Sequence, residues 1–304
     1  MQVSSLQQGA VAALSAACCW ALATVLFKGM TKTIPPLHLN FLKGAIASVF
    51  LMLAMLLSGQ WAESIALSPV LLLIVSGVVG IACGDSAYFA ALSRLGARKT
   101  LLIESIAPPL TAFLALVFLK ESLSTNAWIG VALTVCGVTW VISERVPNKD
   151  GKSFDDRPRA GLAYALTAAT CQATGAVLSR AALSTSSISP LWSALIRLLA
   201  AVSCLALWIF IRRSISLRKF VEPLKLGLMK KLFFAVFIGT FLAIWLQQVA
   251  FKLNSAGVAQ TLLATSPLFV LPMAPFIGER VTLRAIIGAV VAVLGVALLF
   301  GLHV

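Results

Sequence analysis

GAVAALSAACCWALATVLFK (9–28) and GLAYALTAATCQATGAVLSR (161–180) align without a gap, pairing Gly9 with Gly161, Cys19 with Cys171 and Lys28 with Arg180. Each stretch is apolar and as long as the roughly 20 residues that a helix needs to cross a bilayer core about 30 Å thick. Working outward, Pro36 pairs with Pro190 and Lys43 with Arg197. Later in each copy Pro109, Glu121, Gly130 and Gly137 match Pro267, Glu279, Gly288 and Gly295 at one constant spacing. The chain is two copies of one unit, the internal repetition that marks transporter folds.

Composition agrees with a membrane solvent. Of 304 residues, 60% are hydrophobic and 11% charged, with a mean hydropathy of +0.99, whereas soluble domains carry about 25% charged residues. A net charge of +14 suggests nucleic acid at first sight. The Lys and Arg residues, however, sit in short clusters between apolar runs, where loops on one side of a membrane collect them, so no nucleic-acid partner is expected. Cys18, Cys19, Cys83, Cys136, Cys171 and Cys204 all fall inside apolar runs without metal-ligand spacing and read as packing residues. Residues 1–8 lack the charged region and cleavage site of a signal peptide, so the first apolar run is expected to stay as a helix.

Ten spans are predicted, near 9–29, 36–58, 70–93, 98–119, 125–143, 160–181, 190–212, 231–252, 256–277 and 282–301. SERVPNKDGKSFDDRPR (143–159) mixes both charge signs with Pro and Gly and reads as a linker over 144–159. It divides the chain into a first five-helix repeat (1–143) and a second (160–304). Five spans per copy make the second copy enter the membrane from the opposite side, an inverted repeat. Loops after spans 1, 3, 5, 7 and 9 carry most of the Lys and Arg, including the run from Arg212 to Lys231, whereas the other loops hold only Lys120, Arg180 and Lys252. The positive-inside rule then puts both termini on the periplasmic or exterior side of a cell (inner) membrane.

Two motifs carry a family resemblance: PPLTAFLALVFLKESLSTNAWIGVALTVCGV (108–138) and SPLFVLPMAPFIGERVTLRAIIGAVVAVLGV (266–296). Each reads as proline, apolar helix, a Lys-Glu or Gly-Glu pair, a short turn and a Gly-rich helix. This resembles the drug/metabolite transporter superfamily, in particular its ten-helix permeases with tandem EamA domains. The resemblance implies an all-α membrane protein, a basket of ten helices around a central cavity, and export of amino acids and related metabolites, aromatic ones included. One departure is Lys120 where the family commonly has glycine; another is a longer loop into the fourth span. A third is the first helix, which has Cys18, Cys19 and Trp20 at the depth where the small multidrug pumps of the superfamily carry a proton-coupling glutamate, and this argues against their cation antiport.

An ionisable side chain inside the membrane costs a few kcal/mol unless it meets a partner or a cavity. Four qualify: Lys43, Asp85, Glu104 and Arg197. The first three lie seven or eight residues from the predicted cytoplasmic ends of their spans, roughly 10–12 Å deep, and so form one layer. Either Lys43 or Arg197 attracts a substrate carboxylate while Asp85 or Glu104 binds an ammonium group or a coupling proton, or Lys43 neutralises one of the acids as a structural pair; spacing leaves both open. Trp20, Tyr88, Tyr164, Gln172, Trp245, Gln247 and Gln248 form a second, amphipathic set suited to an amino-acid ligand. Trp20 and Gln172 are repeat equivalents placed to face one another. For Tyr88, as for Trp61, Trp128 and Trp208, the competing reading is an interfacial anchor. His38 and Asn40, near the start of span 2, are expected to be solvated. Pro108, Pro109, Pro267, Pro272 and Pro275 are candidate kinks or hinges. Gly130 with Gly137 and Gly288 with Gly295 give spans 5 and 10 small-residue faces, for packing on one another or in a homodimer.

No Walker A sequence, G-x-S-x-G or H-E-x-x-H occurs. Neither catalytic residues nor a metal or cofactor are expected, and a filter loop of the channel kind is not repeated. The expected partners are a small-molecule substrate, the lipid bilayer and a coupling proton, on a monomer or homodimer. An amino-acid exporter leads, with a multidrug or other-metabolite exporter of the same fold as the alternative.

Overall fold

The computed structural model describes residues 2–27, 30, 34–59, 66–142, 158–211, 226–270, 272 and 282–300. The linker up to residue 157, the basic segment 212–225, Trp61, Pro275 and Glu279 lie outside them. Among the described residues every regular element is helical. Proline begins span 2 (Pro36–Ser58) and span 7 (Pro190–Ile211), where its missing N–H would be unpaired anyway and its φ is already helical. Gly59 stops span 2 in the left-handed region at φ 66°. Spans 1 (Gln2–Phe27), 5 (Thr125–Ile142), 6 (Pro158–Ser184) and 10 (Leu283–Phe300) are also single helices.

Among the described residues five segments are by themselves long and apolar enough to cross a membrane: Ser5–Ala23, Leu37–Ser58, Leu67–Leu95, Pro190–Ile211 and Gly227–Leu253. The others are shorter or interrupted. Span 3 runs into span 4 without a coil residue, its last helix being Ser86–Glu104. Ile103 nevertheless packs back on Ala91, Leu95 and Ala165, and Glu104 lies within electrostatic reach of Asp85. A straight helix would hold those acids ~28 Å apart, so the chain doubles back beyond Leu95. In the second repeat, extended Asn254 separates span 8 from span 9.

Both repeats interrupt their fourth element in the same way. Span 4 breaks after Glu104 and resumes as Ala107–Phe118; span 9 breaks after Leu263 and resumes as Ser266–Val270. The closing bonds match one for one: Ser105 N–H to Leu101 O and Ile106 N–H to Ile103 O, against Ala264 N–H to Gln260 O and Thr265 N–H to Leu262 O. This register makes Pro108 the structural counterpart of Pro267, which corrects the pairing of Pro109 with Pro267 read from sequence. Pro108 and Pro109 stand in the first turn of the resumed helix, so they follow a break and do not kink a continuous helix. Spans 3 and 8 also loosen at equivalent levels into π-helix, Gly77–Asp85 and Phe237–Leu242. Such wide turns in a helix frequently mark functional sites.

Helix neighbours obey the inverted two-fold. Span 1 packs on span 8 as span 6 packs on span 3, while spans 2 and 7, 4 and 9, and 5 and 10 pair with their own equivalents. Large apolar side chains such as Leu57, Phe118, Phe210 and Val293 point outward and form the lipid-facing surface. The 5–10 contact depends on absent side chains. A Cβ on Gly137 would collide with the backbone of Ala292, and one on Gly295 would lie 2.5 Å from Thr134 N. Gly137→Leu is expected to destabilise by about 1–3 kcal/mol, lowering the melting temperature in detergent by several degrees. Val293→Leu, on the outward face, should leave it unchanged.

Candidate functional site

The part-buried ionic layer is assembled from spans 2, 3, 4 and 7, with two amides of span 8 beside it. Lys43 Nζ, one turn above Asn40 on span 2, lies 2.6 Å from Asp85 Oδ2 at the end of the span 3 π-segment, and 5.1 Å from the centroid of Phe89. Asn40 Nδ2 donates to Ile81 O (3.1 Å) and approaches Ser86 Oγ (3.2 Å). It thereby satisfies a carbonyl within the π-segment, where the regular i→i−4 ladder is lost. Glu104 returns from span 4 to within electrostatic reach of Asp85 and of Tyr88. Its Oε1 is buried with no hydrogen-bond partner.

Arg197, on span 7, is 2% exposed. Its backbone carbonyl lies against Gly77, where any Cβ would collide, and its Nη2 sits 3.4 Å from the Cβ position of Gly80. Span 7 can therefore approach span 3 this closely only because position 77 is glycine. Arg197 Nη1 donates to Gln247 Oε1 (3.3 Å), and one turn earlier Ser193 Oγ donates to Gln248 Oε1 (2.8 Å). Asp85 is the acid within electrostatic reach of Arg197.

The structure thus gathers Lys43, Asp85, Tyr88, Glu104, Arg197, Gln247 and Gln248. Gln172 lies at the same level, its backbone beside Gly84. Trp245 packs in an apolar cluster that includes residues of spans 2, 7 and 8, and Trp20 in one that includes residues of spans 1, 8 and 9. Tyr164 stands apart: it is exposed, with the Arg94 guanidinium 4.8 Å from its ring centroid, the placement of an interfacial anchor. Pro272 is exposed and Pro267 half-buried. His38 and Asn40 correct the expectation of solvated positions, being 3% and 0% exposed. A helix start reads as polar end from sequence alone, and only the packing of spans 3 and 7 over span 2 buries it.

A second ionic cluster closes the face at which spans 4, 6 and 8 end. Glu121 Oε1 binds Arg180 Nε at 2.6 Å, and its Oε2 accepts the N–H of Ala256, the first residue of span 9. Arg180 Nη1 donates to the carbonyls of Phe251 and Lys252 at the end of span 8 (2.9 Å each). One carboxylate thus meets the positive start of one helix, and one guanidinium the negative end of another. Lys120, beside it, adopts φ 55°, the left-handed conformation that the glycine of the related motifs takes without strain.

A transporter built from inverted repeats places its site between the repeats, and here Asp85 of the first repeat lies within electrostatic reach of Arg197 of the second. The model of the EamA-like transporter family matches residues 7–143 and again 159–301. The chain belongs to the EamA-like transporter family. It is a multi-pass membrane transporter of the drug/metabolite transporter superfamily. An "Uncharacterized transporter" of Archaeoglobus fulgidus (strain ATCC 49558 / DSM 4304 / JCM 9628 / NBRC 100126 / VC-16) is 29% identical over 289 residues, covering 94% of this chain and 95% of that one. A solved structure described as "Crystal structure of protein" superposes with a TM-score of 0.76 at 18% identity, covering 98% of both chains. At that identity the likeness is one of fold. The glutamate of the repeated motif is Glu121 in the first repeat, and here it joins three helix ends. Arg180→Met should strand that carboxylate and cost about 2 kcal/mol, read as a lower melting temperature. Arg180→Lys should recover only part of the loss, because an ammonium group cannot span the carboxylate and both carbonyls.

Proposed function

We propose that this EamA-like transporter is a secondary exporter of small amphipathic metabolites, foremost amino acids including aromatic ones, across the cytoplasmic membrane by alternating access. The observation that carries the reading is the largely enclosed layer of Lys43, Asp85, Glu104 and Arg197, two basic and two acidic side chains drawn from both repeats with amides and aromatic rings around them. An amino acid brings one carboxylate, one ammonium group and a side chain that is apolar in the aromatic members. Either cation supplies the partner for the first, either acid the partner for the second or for a coupling proton, and Phe89, Tyr88, Trp245 and Trp20 supply apolar and aromatic surface.

The repeat-equivalent breaks in spans 4 and 9 and the π-turns in spans 3 and 8 are natural places for the two halves to bend against each other. With both termini outside, as the loop charges argue, the Glu121–Arg180 cluster lies on the outer side and serves as its latch. A proton gradient or solute exchange supplies the energy.

Liposomes loaded with unlabelled amino acids and assayed for counterflow of labelled aromatic and small neutral amino acids test the reading. Saturable counterflow is expected, and a dependence on an imposed pH gradient would identify proton coupling. Lys43→Met and Asp85→Asn should each reduce the rate at least about tenfold while the protein still reaches the membrane folded. Normal counterflow in both variants would make the layer structural, and absence of counterflow in folded wild-type protein would move the substrate to drugs or other metabolites.

A further inference from the structure

The two repeats treat their equivalent cations differently. Lys43 is closed on Asp85 at 2.6 Å. At the same level of the second repeat the counterpart of Asp85 is Ala243, or Ile244 at the register of the helix breaks; both are buried and apolar. Indeed, none of the described residues from Arg159 onward is Asp or Glu. Among the described residues Arg197 consequently meets no acid of its own half, and the acid within its electrostatic reach there, Asp85, already holds Lys43.

The hydrogen bonding around Arg197 is correspondingly incomplete. A guanidinium offers five N–H donors, yet this one makes a single long bond, Nη1 to the neutral Gln247 Oε1 at 3.3 Å, and its Nε is buried without a partner. Next to it the Nε2 donor of Gln248 is likewise buried and unpartnered, its Oε1 being taken by Ser193. On spans 7 and 8 the unmet groups are all donors, whereas on spans 2 and 4 they are the acceptors Asn40 Oδ1 and Glu104 Oε1. A buried, unpaired charge costs several kcal/mol, which an anion with two oxygens relieves by bidentate contact with the guanidinium.

We infer that Arg197, with Gln248 beside it, is the seat of a carboxylate on the transported molecule, and that Lys43 is not. The inference deepens the proposed function by fixing the ligand class: molecules that lack an anionic group, such as simple cationic drugs, lose the contact that the unpartnered donors of Arg197 and Gln248 offer. It rests on this layer being the transport site, but not on the ligand being an amino acid.

The test uses the full-length protein in detergent, with thermal stabilisation by benzoate, benzylamine and the twenty amino acids as the readout. Benzoate or at least one amino acid should raise the melting temperature, and benzylamine should not. Gln247→Glu places an isosteric carboxylate on the atom that Arg197 already contacts. That variant should fold, melt higher than the wild type without ligand, and bind the stabilising carboxylate at least tenfold more weakly. Arg197→Gln should also lose the response, and Gln247→Glu carries the test if it does not fold. Stabilisation by benzylamine alone, no stabilisation by any carboxylate, or a carboxylate response unchanged in Gln247→Glu overturns the inference. An Arg197-dependent benzoate response in a protein without amino-acid counterflow keeps the carboxylate seat and sinks the amino-acid reading.

Discussion

A charge carried into the interior of a membrane protein must be met by another charge, and here that requirement is met once completely and once incompletely. Lys43 and Asp85 satisfy each other at 2.6 Å. For this to happen, span 2 must present Lys43 to the loosened turns at the end of the π-segment, and Asn40 must cap the carbonyl of Ile81 one turn away. The glycine at 77 follows from the same demand, because span 7 has to bring Arg197 close to the acid and its backbone carbonyl lies against that position. The layer is thus a set of mutually dependent approaches, and it uses the widest helical turns in the molecule.

The periphery is governed by a milder form of the same rule. Helix ends leave carbonyls and amides unpaired, and where several ends converge a few long side chains can serve all of them. Glu121 and Arg180 do so at one face by bonding to each other and to the ends of spans 8 and 9. The strained backbone of Lys120 is tolerated where it directs the carboxylate inward. Between these polar levels the helices touch through alanine and glycine, as where spans 5 and 10 cross at Gly137 and Gly295. Without a hydrophobic drive between helices in lipid, such close backbone approach is a main source of cohesion.

Repetition gives this fold its symmetry, and the departures from repetition give it a direction. The breaks in spans 4 and 9 match bond for bond, as do the levels of the two π-segments. The acid beside Lys43, by contrast, has no counterpart beside Arg197. A symmetric pair of closed ion pairs would be a rigid core. One closed pair opposite an unmet guanidinium instead leaves an interaction for a ligand to complete, and this is the physical content of a binding site in an otherwise self-satisfied interior.

The amino-acid sequence by itself determined the solvent, the helical class and the two-fold repetition of one unit. Those features are one-dimensional: run length, proline and glycine punctuation and self-similarity all survive without knowing how helices are rotated or ordered. Only the tertiary structure decided that Lys43 takes Asp85 while Glu104 stays without a hydrogen bond, that His38 and Asn40 are buried, that Tyr164 leaves the layer, and that Glu121 closes on Arg180. Each of these depends on which faces of helices far apart in the chain are turned together. It depends too on a one-residue shift of register, such as the one that matches Pro108 to Pro267, and a pattern of apolar runs is blind to both.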